Sequence, residues 1–125
     1  VSILLKKVVE YVEEKEVGTF GTDIFIGKRP PEPINCVAFY DTPGRPPRKD
    51  STADRTFQVI TRNKSYPLGI GKAGEVHKIL KEAYQFWLGD TWVIKLEAQN
   101  EPGHIGRDEN GNHLFSSNYN IWIKD

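Results

Sequence analysis

The sequence predicts an α+β domain: an antiparallel or mixed sheet of about five strands, with two helices packed on one of its faces. Three observations carry this. Two stretches repeat apolar residues at helical spacing, one at the N-terminus and one past the middle of the chain. Several shorter runs alternate apolar with polar residues, or are apolar throughout, and clusters of Pro, Gly and charge separate them. The pieces follow the order α-β-β-β-α-β-β, with no doubly wound alternation. At 125 residues, 38% hydrophobic and 27% charged, the chain suits a single domain over its whole length, residues 1 to 125.

The first helix is expected over "VSILLKKVVEYVEEKEVG", where Val1, Leu4, Leu5, Val8 and Val12 form one apolar stripe and Gly18 offers a stop. Glu10, Glu13 and Glu14 crowd its C-terminal half, where the helix dipole disfavours anions, so a basic neighbour in the fold or in a partner is expected. "TFGTDIFIG" alternates Phe20, Thr22, Ile24 and Ile26 as a strand would, until "KRPPEP" breaks it. "INCVAFY" is apolar on both faces and reads as a central strand. "RTFQVITRN" sets Phe57, Val59 and Thr61 against Thr56, Gln58, Ile60 and Arg62 as a third strand. Pairing these last two antiparallel makes the stretch between them, residues 41 to 55, an oversized hairpin loop.

A second helix is expected over roughly residues 72 to 87, with Val76, Ile79, Leu80, Ala83 and Trp87 on its buried face and Gly89 as a stop. "TWVIKLEAQ" follows as a strand with Trp92, Ile94, Leu96 and Ala98 on one side. "NEPGHIGRDENGN" reads as a second polar, Gly-rich loop, residues 100 to 113. The closing strand "HLFSSNYNIWIKD" offers Phe115, Tyr119, Ile121 and Ile123 to the core and turns Trp122 outward, as a candidate interface anchor.

Charge and composition narrow the function. Seventeen basic residues balance seventeen acidic ones, which argues against nucleic acid wrapped over the whole surface but allows local basic patches. No apolar run approaches the roughly 20 residues that cross a bilayer, and the start lacks a signal-peptide pattern, so no membrane partner is expected. The first residue is Val1 rather than Met, so a few preceding residues are expected. Cys36, the single cysteine, cannot form an internal disulfide, and assembly in a reducing cytoplasm is the simple inference.

Signals for catalysis are poor. Gly69, Gly71 and Gly74 spell G-x-G-x-x-G, but a dinucleotide site needs a strand directly before it and a βαβ unit around it; here Tyr66-Pro67 intervenes. His77, His104, His113 and Cys36 lack the spacings of a zinc site. "DENGN" resembles the start of a calcium loop, yet the twelfth position is Tyr119, and Asn110-Gly111 is better read as a tight turn with both residues at positive φ. Core packing is the reading for Trp87 and Trp92. No nucleophile-base-acid set and no framed carboxylate pair stands out, so no enzyme, cofactor or metal is expected. The chain reads as a binding or assembly module.

Three segments together are similar to a known family: "PEPINCVAFYDTPGRPP", "FQVITRNKSYPLGIGKAGEVHKIL" and "GRDENGNHLFSSNYNIWI". A Pro-containing lead enters a strand that ends in Asp41, Thr42 and Gly44. A strand with Gln58, Val59 and the basic exit Arg62 comes next, then a helix after a Tyr-containing connector. A turn with Asp108 and Gly111 runs into a polar-aromatic strand with Asn118 and Tyr119. This pattern, over about residues 3 to 124, resembles the phage tail terminator family, the tail-to-head joining or minor capsid proteins of long-tailed bacteriophages. The resemblance implies a hexameric ring in the tail-neck region of the virion. Such a ring binds the tail tube protein, halts tube polymerisation, meets the head connector or stopper protein and lets DNA pass through its lumen. It also implies a sheet with helices on one side, as the periodicities do independently.

A small ring subunit must contact neighbours, tube and connector at once, and long loops give it the surface. Asp41, Arg45, Arg48, Lys49, Asp50 and Arg55 in the first loop suit charge-assisted contacts to another protein. Pro43, Pro46 and Pro47 lower the ordering cost of docking. In the second loop Arg107, Asp108 and Glu109 carry both signs of charge and are expected to order against another subunit or ring. Two rival classes remain: another neck component such as a head-completion or stopper protein, and a small enzyme or ligand-binding α+β domain. Binding to tail tube rather than portal separates the first; ring-sized particles with no added ligand exclude the second.

Overall fold

Leu5, Val8, Val9 and Val12 of the first helix are all buried, because their three- and four-residue spacing keeps them on one side of it. The computed structural model describes residues 3 to 42 and 52 to 124. Its elements are α1 (Ile3–Glu14), β1 (Ile24–Ile26), β2 (Cys36–Thr42), β3 (Thr52–Asn63), α2 (Tyr66–Leu80), β4 (Glu82–Leu88), β5 (Thr91–Ala98), β6 (Gly103–Arg107) and β7 (His113–Lys124). The class is α+β, but the sheet has seven strands, in the order β1-β2-β3-β7-β5-β4 with β6 beside the first part of β7. It is mixed: β1 runs parallel to β2 and the other pairs are antiparallel.

Both helices lie on one face. The register aligns Val37 and Phe39 of β2, Phe57 and Val59 of β3, Tyr119, Ile121 and Ile123 of β7, and Val93 and Leu96 of β5, on that side. All nine are buried in one cluster with the α1 stripe and with Val76 and Leu80 of α2. The four apolar residues expected to face the core from β7 do so, Phe115, Tyr119, Ile121 and Ile123 each being at most 6% exposed.

Several expected boundaries are corrected. Helix α1 ends at Glu14 rather than near Gly18, and Glu16 takes the left-handed conformation (φ 61°) that Gly18 was expected to supply. The strand expected over residues 19 to 27 shrinks to Ile24–Ile26, because Asp23 accepts from Thr19 N (2.7 Å) and closes a turn before it. The first long loop is shorter than residues 41 to 55: Asp41 and Thr42 finish β2, and Thr52 to Arg55 begin β3. Arg45, Arg48, Lys49 and Asp50 lie outside the described residues.

The second helix is displaced most. Ser65 caps its start, its Oγ accepting from Leu68 N, and Pro67 sits in the first turn where a missing N–H costs nothing. The G-x-G-x-x-G glycines therefore lie inside α2. A Cβ on Gly69 would stand 2.4 Å from the Phe115 ring, so helix and sheet approach closely at this position. The helix stops at Leu80, and residues 82 to 87, expected to continue it, belong to strand β4. Part of the second loop is likewise strand β6.

The parallel pairing of β1 with β2 requires a crossover, and residues 27 to 35 supply it. Arg62 holds this Pro-rich segment. Its Nε donates to Ile34 O (2.8 Å), and its Nη2 donates to Pro33 O (3.1 Å) and to Pro30 O. Arg62 is on the side of β3 that faces away from the helices, beside Cys36 in the register. The crossover thus covers the part of the helix-free face beside β2 and the end of β3.

Candidate functional site

The rest of the helix-free face is built by β7, β5 and β4 with the start of β3. The register lines up Asp54, Trp122, Lys95 and Tyr84 across four strands, with Thr56, Asn120, Glu97 and Glu82 in the adjacent row. A bulge between Val93 and Lys95 shifts the side-chain alternation of β5, so Trp92 comes to this face and Val93, not Ile94, enters the core. Gln85, at φ 48°, faces that bulge and turns Trp87 to the same side. Trp87 and Trp92 meet edge-on with centroids 5.1 Å apart. The three tryptophans of the chain, Trp87, Trp92 and Trp122, therefore share one face.

This corrects the core reading of Trp87, which is 64% exposed on an edge strand. Trp122 is half-buried on the side of β7 away from the core, as its alternation with Ile121 and Ile123 requires. Around the aromatics runs a polar lattice. Lys95 pairs with Glu97 (3.0 Å) and lies over the Tyr84 ring, and Tyr84 donates to Glu82 (2.7 Å). Gln58 donates to Ser116 Oγ (2.9 Å), and Asn100 accepts from Asn118 N (2.8 Å). The face thus sets aromatic side chains in a polar surround.

The remaining expected site residues fall on two hairpins. Asp41 and Arg55 are exposed at the foot of the β2–β3 hairpin. Both line a groove of about 320 Å³ whose other wall is Leu4, Leu5 and Val8 of α1. On the β6–β7 hairpin, Arg107 and Glu109 are exposed. Asp108 is engaged within the turn, accepting from Asn112 N (2.9 Å), Asn110 N (2.9 Å) and Asn112 Nδ2 (3.2 Å). The Asn112 N–H above all holds its carboxyl below the usual carboxylate range. Gly111 alone has positive φ there (80°), so the tight turn expected with Asn110 also left-handed is instead a longer turn organised by Asp108.

The polar groups elsewhere have structural work. Tyr119 is wholly buried; Ser117 Oγ donates to its hydroxyl (3.0 Å), which lies 3.0 Å from His77 Nδ1. Burial pushes the Tyr119 phenol up to about 12 and pulls the His77 imidazole down. Burial also raises the Cys36 thiol, which makes it a poor nucleophile. A cleft of about 450 Å³ between α2 and the crossover is lined by Asp23, Arg62, Lys72 and Glu75 among others. Arg62 is committed to the crossover carbonyls and Lys72 donates to Val17 O. His104 and His113 meet at 3.1 Å beside Tyr66, but among the described residues no three His, Cys, Asp or Glu side chains converge as a metal site would need.

β4 and its aromatic edge are what sequence reasoning missed. "EAYQFWL" is rich in strand-favouring aromatics, and that signal was available. It was masked because Ala83 and Trp87 also continue the helical spacing of Val76 and Leu80.

Residues 11 to 125 match the family model described as bacteriophage tail terminator protein. No curated protein matches the chain. Among solved structures, a chain in the virion of a native gene transfer agent particle shares the fold. It matches with TM-score 0.59 at 14% identity, over 100% of this chain and 87% of its own. The chain belongs to the bacteriophage tail terminator family.

Proposed function

We propose that this tail terminator family member is a structural virion protein that closes the tail. Six copies form a ring on the completed tail tube, stop further tube polymerisation and join the tail to the head connector or stopper. DNA crosses the lumen, and the ring sits at the tail neck after assembly in the host cytoplasm. The family match over residues 11 to 125 carries this reading. The aromatic face supports it, since Trp87 and Tyr84, exposed on an edge strand, suit assembly.

Each surface has a proposed place in that ring. Trp122, with Trp87 and Trp92, anchors a contact between neighbouring subunits, which in a ring is heterologous. Residues 41 to 55, with Asp41, Arg45, Arg48, Lys49, Asp50 and Arg55, reach a partner by charge-assisted contacts. Arg107 and Glu109 of the β6–β7 hairpin reach another subunit or the adjacent ring, and Asp108 shapes that hairpin.

The test is tube polymerisation in vitro. Purified tube protein is allowed to elongate with and without this chain, and tube lengths are measured by electron microscopy. Added chain is expected to shorten the tubes and to leave a ring on one end. Unchanged lengths, or binding to portal but not to tube, would overturn the reading.

A further inference from the structure

Among the described residues six large apolar side chains are well exposed, and they fall in three places. Tyr84 and Trp87 stand on β4, one terminal strand of the sheet, and Phe20 stands beside β1, the other. Tyr66 and Leu68 lie in the first turn of α2, and Ile105 lies on β6. A subunit that repeats head to tail needs two different lateral surfaces. The two ends of one sheet are such a pair, and each carries part of this exposed apolar surface.

The β4 end is a knob. Trp87 is 64% exposed on the helix-free side, its ring edge-on to Trp92, and β4 has no strand beyond it among the described residues. The β1 end is a hole. A cleft of about 330 Å³ there is lined by Phe20, Phe25, Ile26, Pro30 and Pro33, with Lys28 and Glu32 also on its wall. Phe25 alternates with Ile24 and Ile26, which pack toward the helices, so the cleft reaches the same side of the sheet as Trp87. Its Pro-rich wall is set in advance. Arg62 donates to Pro30 O and Pro33 O, so docking there orders little new chain.

The chemistry of the cleft selects an aromatic guest. Proline rings lie against aromatic side chains, and an ammonium such as that of Lys28 sits over an indole. A buried indole N–H takes an acceptor such as the Glu32 carboxylate. The chain's own Trp87 cannot be that guest: five inter-strand steps separate β1 from β4, about 24 Å at the usual strand spacing. The guest comes from a second molecule, and a second copy brings a Trp87 already presented at a sheet edge.

We infer that Trp87 of one copy inserts in the cleft beside β1 of the next copy, between Phe20 and the prolines of the crossover. The inference rests on the ring reading and gives it a contact: knob at one end of each sheet, hole at the other, repeated around the ring. The contact is heterologous, as ring closure requires.

The test separates knob from hole. Trp87→Ala removes the knob and keeps the hole, and Phe20→Asp spoils the hole and keeps the knob. Both positions are exposed, so both variants are expected to melt like the wild type. If Phe20→Asp melts early, Lys28→Trp, which fills the cleft from an exposed position, takes its place. In sedimentation, each variant alone is expected to self-associate at least about thirtyfold more weakly than the wild type. An equal mixture of the two is expected to give dimers and nothing larger, because one intact knob meets one intact hole. A mixture that stays monomeric at millimolar concentration overturns the inference. So does a hole variant that associates like the wild type, the mark of a symmetric contact of β4 with β4. A mixture that dimerises beside a wild type that builds open filaments instead of closed rings refutes the ring reading alone. Wild-type rings that both variants also form refute the inference alone.

Discussion

Arg62→Ala tests how the helix-free face is partly covered. Arg62 is 8% exposed and donates to three backbone carbonyls of the crossover, those of Pro30, Pro33 and Ile34. Hydrogen bonds to a charged group contribute about 1.5–3 kcal/mol each, and the cost of burying the guanidinium offsets part of the total. Truncation leaves those carbonyls without their donor and opens a void over Cys36, so a net loss of about 3–5 kcal/mol is expected. Much of it should appear as local opening of residues 27 to 35. Cys36, 4% exposed beneath this cover, reports that opening directly. At tenfold per 1.4 kcal/mol, its labelling by a thiol reagent should accelerate about 10²–10³-fold if opening is local. Arg62→Lys should recover little, since a single ammonium cannot present the guanidinium's fan of donors to separated carbonyls. The assays are urea denaturation and thiol labelling under native conditions. A stability loss below about 1 kcal/mol together with an unchanged labelling rate would refute the reasoning.

Gly69→Ala should destabilise by about 1–3 kcal/mol, because its Cβ would meet the Phe115 ring; Gly74→Ala, with open space around it, should stabilise by about 0.5–1 kcal/mol. Thermal melts of the pair decide. Acid should weaken the fold through His77: its imidazole titrates lower when folded than its ordinary 6.5, so the unfolded chain binds more protons and stability falls as pH drops from about 7 through the folded value. His113 shifts the same way, so His77→Gln should remove only part of that slope in melts across pH 5 to 8. Alkali acts through Tyr119, whose stabilising contribution is lost from about pH 10 upward; in absorbance titration one of the five phenols should resist ionisation until about 12 or until unfolding. Arg45→Ala with Arg48→Ala should change folding stability by no more than about ±0.5 kcal/mol while weakening docking by about 2–5 kcal/mol. Overgrown, headless tails are the expected phenotype, and normal tails joined to full heads would contradict it.

What the sequence made legible was the part governed by simple periodicity. The α1 stripe, the central strands β2 and β3, and the inward side of β7 follow spacings of 3.6 or 2 that tertiary contacts did not disturb. Reading failed where two signals competed. Ala83 and Trp87 fit a helix extended from Val76, yet the strand-forming run around Tyr84 and Phe86 prevailed once β5 was there to pair with it. The Ser65 cap with Pro67 was a readable start for α2, obscured by the three glycines that follow it. The grouping of Trp87, Trp92 and Trp122 could not be read locally. It depends on the β5 bulge and the turn of Gln85, and both reverse the alternation that a regular strand would give. Arg62 was visible as the basic exit of a strand, but its task depends on carbonyls about thirty residues earlier in the chain.

The central claim is that this chain caps the tail tube as a ring. Cryo-electron microscopy of isolated tails, averaged at the head-proximal end without imposed symmetry, tests it most directly. The account predicts one six-fold layer of this fold seated on the last tube ring, with β4 of each subunit against its neighbour. Tails whose final layer lacks this fold, or that carry it at another symmetry or along the length of the tube, would contradict the account.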